Sequence, residues 1–436
     1  MRRPLLVLAM LPALAACDNL LDLGGGSSSP SPAADAGADG SNVTPPDGGA
    51  SGDGAAPSDG EGGAPFDDTV GCDGTLALDA PVTLVAELAG DVFPAVNGYV
   101  AFFPNTNGVN TLASELRIAR LGEQLDLLGP AITLFPESGG SVPSWAVRPD
   151  GTGFLATAFW ENENGFRITT LDEHGVPTWD VETPPGGTVM AAGPGTPVGG
   201  APDVLVSFTD VAGPLGLVLP RGSSQITWNG YRVDSVCADG LDPVIWNVDH
   251  FEAVCSDGYR VAIRPDGRTS LEPVTLTDYP AGESDRCHFV WKERAAGAFV
   301  RTASSFPKLP PGSPYTECDL THPGTDASSS YMVSTLRDGA SAWGPWVPVL
   351  QFSQIDRQSE LTRALDTHGI VAAAKGAQGS YEVRRATLDG ATRGAPFTYS
   401  PPAGTSSLAL VPVRNGYLVK SYASATLVKV ERLTCR

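Results

Sequence analysis

Short apolar stretches, separated by turn residues, recur along most of this chain. Segments 166–172 and 381–387 alternate between apolar and polar residues, whereas 153–160 and 369–375 are almost continuously apolar. Alternation predicts strands with one buried face, and short continuous runs predict strands that are buried on both faces. Long segments with the 3.6-residue period of a helix do not occur in the pattern. The sequence therefore predicts an all-β domain.

The predicted strands recur in a fixed order of four, which we label a, b, c and d. Strand b often begins with glycine, strand c ends in a glycine turn, and strand d follows that turn. The predicted copies are 145–148, 289–293, 361–365 and 408–413 for strand a; 98–103, 153–160, 203–209, 251–255, 297–304, 369–375 and 416–422 for strand b; 116–122, 166–172, 215–222, 259–267, 331–339, 381–390 and 427–435 for strand c; and 130–134, 176–181, 225–228, 272–276, 346–350 and 395–399 for strand d.

Four antiparallel strands that repeat roughly every 50 residues are typical of a propeller blade. Residues 71–436 therefore resemble a seven-bladed β-propeller with four-stranded antiparallel blades. Strand a is weakest in the third unit, so six and eight blades are the alternatives. No signature of a named repeat family is present, and the resemblance is to the architecture alone.

The two ends of this domain are predicted to share one blade. The last strand c, 427–435, has no strand d after it, whereas 80–84 reads as a strand d with no unit before it. Pairing the two would close the ring and remove an exposed seam between the first and last blades. Cys72 and Cys435 then lie at the same junction, so we predict a disulfide between them, worth roughly 5 kcal/mol on the loop-entropy model.

Six cysteines remain when Cys17 is set aside, which suggests three disulfides in an exported chain. In a propeller the d–a and b–c connections lie at one end, here called the loop end. Cys237 and Cys255 both fall at the loop end of the fourth unit, and Cys287 and Cys318 at that of the fifth. We therefore predict the pairs Cys237–Cys255 and Cys287–Cys318, although sequence alone allows fifteen connectivities for six cysteines.

The N-terminal region predicts an exported and anchored protein. Residues 1–16 have the charged start and short apolar run of a signal peptide. Leu14-Ala-Ala-Cys17 resembles a bacterial lipobox, which implies lipid attachment at Cys17 and a membrane anchor. Residues 17–70 are rich in Gly, Ser, Ala, Pro and Asp and predict a disordered tether. We expect the outer membrane of the cell envelope, with the inner membrane as the alternative.

Charge excludes one class of partner. The chain carries 28 basic and 49 acidic residues, a net charge of −21. Nucleic-acid binding requires the opposite sign, so we expect no nucleic-acid partner. We expect the protein to be a monomer.

Candidate chemistry is sparse. The five histidines show no metal-ligand spacing, and no nucleophile elbow or phosphate-binding loop is present. We therefore predict no catalytic residue, no metal and no cofactor. Loops on a rigid scaffold usually carry function, and the longest predicted loops are 229–243, 277–288 and 305–330. The candidate ligand contacts are Trp160, Tyr279, His288 and His322.

The sequence thus favours a binding or scaffolding protein with a protein or glycan partner on the loop end of blades four and five. Two alternatives stay open: a hydrolase or lyase that acts on polysaccharide, and an envelope assembly factor. The fold class cannot decide among them, because propellers host unrelated functions.

Overall fold

The computed structural model describes most of the region from residue 70 onwards. The described residues are 70–79, 90–106, 113–136, 144–149, 153–160, 165–182, 196–197, 203–210, 213–222, 237, 241, 243–283, 285–295, 297–309, 311–313, 318, 328–353, 361–376, 379–423 and 426–436. The predicted signal peptide, the lipidated Cys17 and the tether lie outside them, and so does the N-terminal unit Met1–Pro65 as a whole.

All regular structure in the described residues is β-strand. The strands are β1 (Leu76–Leu78), β2 (Asp91–Ala95), β3 (Gly98–Thr106), β4 (Ala113–Leu121), β5 (Ile132–Phe135), β6 (Ser144–Pro149), β7 (Gly153–Trp160), β8 (Gly165–Asp172), β9 (Pro177–Glu182), β10 (Thr196–Pro197), β11 (Asp203–Asp210), β12 (Gly213–Pro220), β13 (Val244–Asn247), β14 (His250–Val254), β15 (Tyr259–Ile263), β16 (Thr269–Pro273), β17 (Arg286–Ala295), β18 (Ala298–Pro307), β19 (Ser328–Arg337), β20 (Val347–Ser353), β21 (Leu361–Asp366), β22 (Gly369–Lys375), β23 (Tyr381–Ala386), β24 (Phe397–Tyr399), β25 (Ser407–Val413), β26 (Gly416–Ala423) and β27 (Thr426–Cys435). This part of the chain contains no helix long and apolar enough to cross a membrane.

These strands form an all-β propeller of four-stranded antiparallel blades. Blade one is β2–β5, blade two is β6–β9, blade four is β13–β16, blade five is β17–β20 and blade six is β21–β24. The terminal blade has the order β1-β27-β26-β25, and a third sheet contains only β10, β11 and β12.

The predicted count of seven four-stranded blades is wrong for the described residues, which form six. The expected outer strand of the third sheet, 225–228, lies outside them. Its first strand, Thr196–Pro197, has only two residues. Proline cannot donate a ladder hydrogen bond, and the neighbouring glycines weaken a strand, which explains the poor strand signal there.

The terminal blade also differs from its predicted form. Its outer strand is β1, which pairs with β27 so that Leu76 lies opposite Cys435 and Leu78 opposite Leu433. The predicted strand 80–84 lies outside the described residues. The two chain ends therefore share one sheet, with a register about four residues earlier than the alternation suggested.

Apolar residues pack in the layers between successive sheets. The second strand of a blade touches neighbours on both faces, so β7 is buried at all eight positions. This is why strand b reads as a continuous apolar run. Glycine opens several of these strands because a side chain would collide with strand c, as at Gly98, where an added Cβ would clash with the Leu121 carbonyl oxygen.

Three disulfides join the six cysteines of the propeller. They are Cys72–Cys435, Cys237–Cys255 and Cys287–Cys318, with Cα–Cα distances of 6.1, 5.0 and 5.6 Å. These are the predicted pairs. One position differs from the prediction, since Cys287 lies within β17 and not in the connection before it.

Candidate binding site on blade five

Blade five extends further at the loop end than its neighbours. Strands β17, β18 and β19 have ten residues each, whereas β13 to β16 of blade four have four or five. Cys287 on β17 is bonded to Cys318, which follows β18 in the chain. The disulfide therefore ties the inner strand to the long connection between strands b and c. A binding surface here would be held on rigid elements.

A short segment, residues 277–283, leads from blade four into β17, and we call it the capping segment. At its start, the Thr277 hydroxyl donates to the Trp343 carbonyl oxygen at 2.6 Å. At its end, the Glu283 carboxylate accepts from the hydroxyls of Ser305 and Ser330, the latter at 3.1 Å. Arg286 Nε lies 3.1 Å from the same carboxylate. Both ends of the capping segment are thus fixed to blade five.

Tyr279 of the capping segment forms an aromatic column with His288 and Trp346. The Tyr279 ring lies on His288 with centroids 3.6 Å apart and planes 8° apart. The Tyr279 ring also stacks on Trp346, with centroids 5.0 Å apart and planes 16° apart. Such pairs contribute about 0.5–1.5 kcal/mol beyond the area they bury. Tyr279 and His288 are half-buried, while Trp346 is buried, so the column links the surface to the core.

Burial sets the charge state of the column. It lowers the pKa of His288, and the nearby Glu283 carboxylate opposes that shift only in part. It also raises the pKa of the Tyr279 phenol. His288 Nε2 lies 3.9 Å from Glu283 and has no hydrogen-bond partner in the described part of the chain. Both rings are therefore neutral near pH 7, and the imidazole keeps an unused polar atom.

The same residues resemble a hydrolytic triad only in composition. Ser305 is fully buried, and its hydroxyl donates to Glu283 and not to His288. The imidazole is held flat against Tyr279. A nucleophile needs its base within hydrogen-bond reach, so Ser305 and His288 are not arranged as a nucleophile and its base. Within the described residues, no group of three or more His, Cys, Asp and Glu is arranged to hold a metal ion.

Two of the four predicted contact residues come together here, Tyr279 and His288. Trp160 lies elsewhere: it is buried between blades one and two, and its indole donates to the Pro136 carbonyl oxygen at 3.0 Å. The predicted contact between Trp160 and a ligand stays a prediction. The burial of Trp160 does not favour such a contact. His322 lies outside the described residues.

Sequence reasoning missed Glu283 as the residue that holds the capping segment. Its signal was slight: an acidic residue just after Pro280-Ala-Gly282 in a d–a connection. Trp346 is buried and stacks on Tyr279, a contact that the sequence pattern does not reveal.

A polar cavity of about 320 Å³ lies on blade four, towards the opposite end. His250 contacts Asp249 at 2.8 Å and lies 3.7 Å from the buried Glu252. Glu252 accepts from Asn247 at 2.8 Å and lies 3.1 Å from Arg260. These groups pair with one another, and their mutual contacts account for the polar wall of the cavity.

Comparison with known proteins adds only distant likenesses. No protein-family model matches the sequence, and no curated protein matches it significantly. Among solved structures, the BP39L lectin from Burkholderia pseudomallei aligns with 13% identity and a TM-score of 0.43, over 77% of this chain and 91% of the lectin chain. An oligogalacturonate lyase in complex with manganese aligns with 9% identity and a TM-score of 0.43, over 84% of this chain and 97% of the lyase chain. At these values, neither likeness bears on what this chain binds.

Proposed function

We propose that this chain is an exported lipoprotein that binds a protein or glycan partner through the loop end of blade five. The observation that carries the proposal is the column of Tyr279, His288 and Trp346, in which Tyr279 and His288 are only partly buried, held in place by the anchored capping segment. A surface that is ordered before binding loses little conformational entropy when a partner arrives.

The contact chemistry of this surface suits recognition. Tyrosine offers a large rigid ring with a polar tip, which is why tyrosine is common in binding surfaces. Arg286, Glu283 and His288 add polar groups around it, all partly exposed. Both a glycan and a protein loop could use such a mixed surface.

The proposed location at the cell envelope is consistent with a binding role. Lipid on Cys17 would hold the chain at the envelope, most simply at the outer membrane. Residues 17–70 would then act as a flexible spacer, because their Gly- and Ser-rich composition resists ordering. A propeller on such a spacer can present its loop end to a partner at a distance from the membrane.

A closed ring is part of the same proposal. Its support is an apolar cluster in which Tyr99 of blade one packs with Leu418 and Val430 of the terminal blade. Sheets that pack in this way leave no free face between the first and last units. A rigid ring would hold blade five in a fixed orientation.

The test uses the full chain, lipidated and purified in detergent. A photo-crosslinking amino acid replaces Ala281, which is exposed in the capping segment, and a matched control places it at Val248, which is 88% exposed on blade four. Cross-linking in envelope preparations detects a protein partner, and a glycan array detects a glycan partner.

We expect a single partner that cross-links from position 281 but not from 248, or one glycan class on the array. Either signal should be lost in the double variant Y279A/H288A and retained in H174A, which changes a histidine in the β8–β9 turn. A signal that survives in Y279A/H288A, or no signal in both assays, would refute blade five as the binding surface.

A further inference from the structure

Arg301 of β18 is a buried cation in contact with two indole rings. Its guanidinium lies 4.1 Å from the ring centre of Trp343 and 4.8 Å from that of Trp346. The residue is 7% exposed. Within the described residues, the guanidinium makes one hydrogen bond, a long one of 3.4 Å to the Ser334 hydroxyl, and Nε makes none. Arg301 therefore has aromatic contacts, but in the described residues its N–H groups have almost no hydrogen-bond acceptor.

Other arginines that lie over aromatic rings show which contact Arg301 lacks. In the described part of the chain, four more do so, and each also contacts a carboxylate: Arg167 with Asp180, Arg294 with Asp338, Arg363 with Glu293 and Arg414 with Glu123. No carboxylate of the described residues lies within 4 Å of Arg301. It is also more buried than a cation normally is without a partner.

Burial without a counter-ion destabilises the charged form of Arg301. It lowers the pKa of Arg301 to about 10, which still leaves the side chain charged at neutral pH. Cation–π contacts offset part of the cost. Buried charges in proteins are otherwise paired. Within the described residues, the chain supplies no such partner for Arg301.

We infer that Arg301 binds a carboxylate group of a ligand, at the base of the blade-five surface. The inference rests on the proposed function, since the capping residue Tyr279 stacks on Trp346, one of the two indoles that hold Arg301. The two indoles restrict access to the guanidinium, and Nε has no hydrogen-bond partner in the described residues, so an anion can bind along the N–H edge. A planar carboxylate fits that approach with two parallel N–H···O bonds.

The net charge of the chain disfavours a ligand with many negative charges. The chain has a net charge of −21, which repels an extended polyanion. One buried guanidinium matches one carboxylate. A sugar acid or the C-terminal carboxylate of a peptide would both supply it, and the measurement separates these two sources.

The measurement is a titration of the full chain followed by tryptophan fluorescence. Because Nε of Arg301 is buried, binding requires the adjacent side chains to move, and the flanking indoles report that movement. The probes are two matched pairs: D-glucuronate with neutral D-glucose, and N-acetylglycine with neutral N-acetylglycinamide. We expect a saturable change with one carboxylate and not with its neutral partner, and the responding pair identifies the source.

Two variants and a control assign the response. R301M should weaken binding of the responding probe at least about tenfold, and R301K should weaken it less, because lysine keeps the charge but not the planar fork. R294M is the control: Arg294 lies on the neighbouring strand, also over a ring, but already pairs with Asp338. It should bind the probe as the wild type does.

Thermal unfolding provides the second readout. R301M should leave the melting temperature unchanged or raise it, because the substitution removes a buried charge that lacks a protein partner. Unchanged probe affinity in R301M, or no response to either carboxylate, would overturn the inference. Failure of the glycan array and cross-linking with a positive glucuronate response would instead refute the proposed partner surface and leave the carboxylate site intact.

Discussion

Tyr279 lies flat against His288, with ring centroids 3.6 Å apart and planes 8° apart. The two residues belong to different elements, the capping segment and the inner strand β17. Their contact closes over the upper part of the blade and shields the imidazole from water. A property of one residue, the pKa of His288, therefore depends on the placement of the other.

The first prediction concerns the pH dependence of stability. Burial lowers the pKa of His288 in the folded protein, although Glu283 opposes the shift. The unfolded chain then binds more protons than the folded one, and the free energy of unfolding falls as the pH drops below about 6.5. In H288Q this decline should be smaller. Denaturation midpoints between pH 7.5 and pH 5 measure it.

The control for this prediction is H174Q, which replaces a histidine in the β8–β9 turn of blade two, away from His288 and Glu283. H174Q should keep the full decline of the wild type. Replacing Tyr279 by alanine should expose the imidazole and move the pKa of His288 towards its ordinary value, which an NMR titration detects. A pH profile of H288Q that overlays the wild type would contradict the burial argument.

The second prediction concerns the buried ion pair of Asp366 and Arg393. The two side chains are 0% and 4% exposed, with an N–O distance of 2.9 Å. Tyr417 also donates to the Asp366 carboxylate. D366N removes the buried one of the two carboxylates that contact the Arg393 guanidinium, and Asp73, 2.8 Å from Nε, remains. We therefore expect a loss of up to about 3–5 kcal/mol in the free energy of unfolding.

A matched surface pair tests whether burial causes that loss. Asp389 lies 2.8 Å from Arg337, and their side chains are 62% and 69% exposed. D389N should therefore cost no more than about 1 kcal/mol. Chemical denaturation of both variants decides the point, and equal losses would show that burial is not the cause.

Strand type and order could be predicted from the sequence because they depend on local pattern. Strands β7 and β22 have the predicted bounds, 153–160 and 369–375. Strand β16 begins at Thr269 and not at 272, and β1 ends at Leu78, before the predicted strand 80–84 begins. In both cases the length of the preceding turn sets the register, and alternation alone does not encode turn length.

The candidate site was less predictable for a physical reason. Tyr279 and His288 were named separately, since each lies in or beside a long loop. Their stack depends on the path of the capping segment, which Glu283 fixes through hydroxyls from β18 and β19. Arg301 gave no signal in the sequence, because an unpaired charge becomes visible only when all its neighbours are known.

The third prediction tests Glu283 as the anchor of the capping segment. Its carboxylate accepts from Ser305 and Ser330 and lies 3.1 Å from Arg286. E283Q keeps the shape but loses the charge, so we expect a loss of about 1.5–3 kcal/mol. E272Q, with a side chain that is 61% exposed, is the control and should change little. Denaturation midpoints measure both, and limited proteolysis should show earlier cleavage near 281 in E283Q alone.

The last prediction concerns the disulfide between Cys72 and Cys435, which links residues 363 positions apart. On the loop-entropy model, a closed loop of this length contributes about 5 kcal/mol, and one of 18 residues about 3 kcal/mol. The double variant C72S/C435S should therefore lose more stability than C237S/C255S.

Native contacts at the chain ends should keep the loss below that ceiling. Thr75 and Arg436 exchange two backbone hydrogen bonds of 3.0 Å, and Arg393 donates to the Cys72 carbonyl oxygen at 2.8 Å. These contacts persist without the disulfide, so C72S/C435S should still fold but open first at the terminal blade. Hydrogen exchange of β1 and β27 checks this order, and peptide mass spectrometry without reduction verifies the three pairs in the wild type. A smaller loss in C72S/C435S than in C237S/C255S would mean that the chain ends stay together without their covalent link.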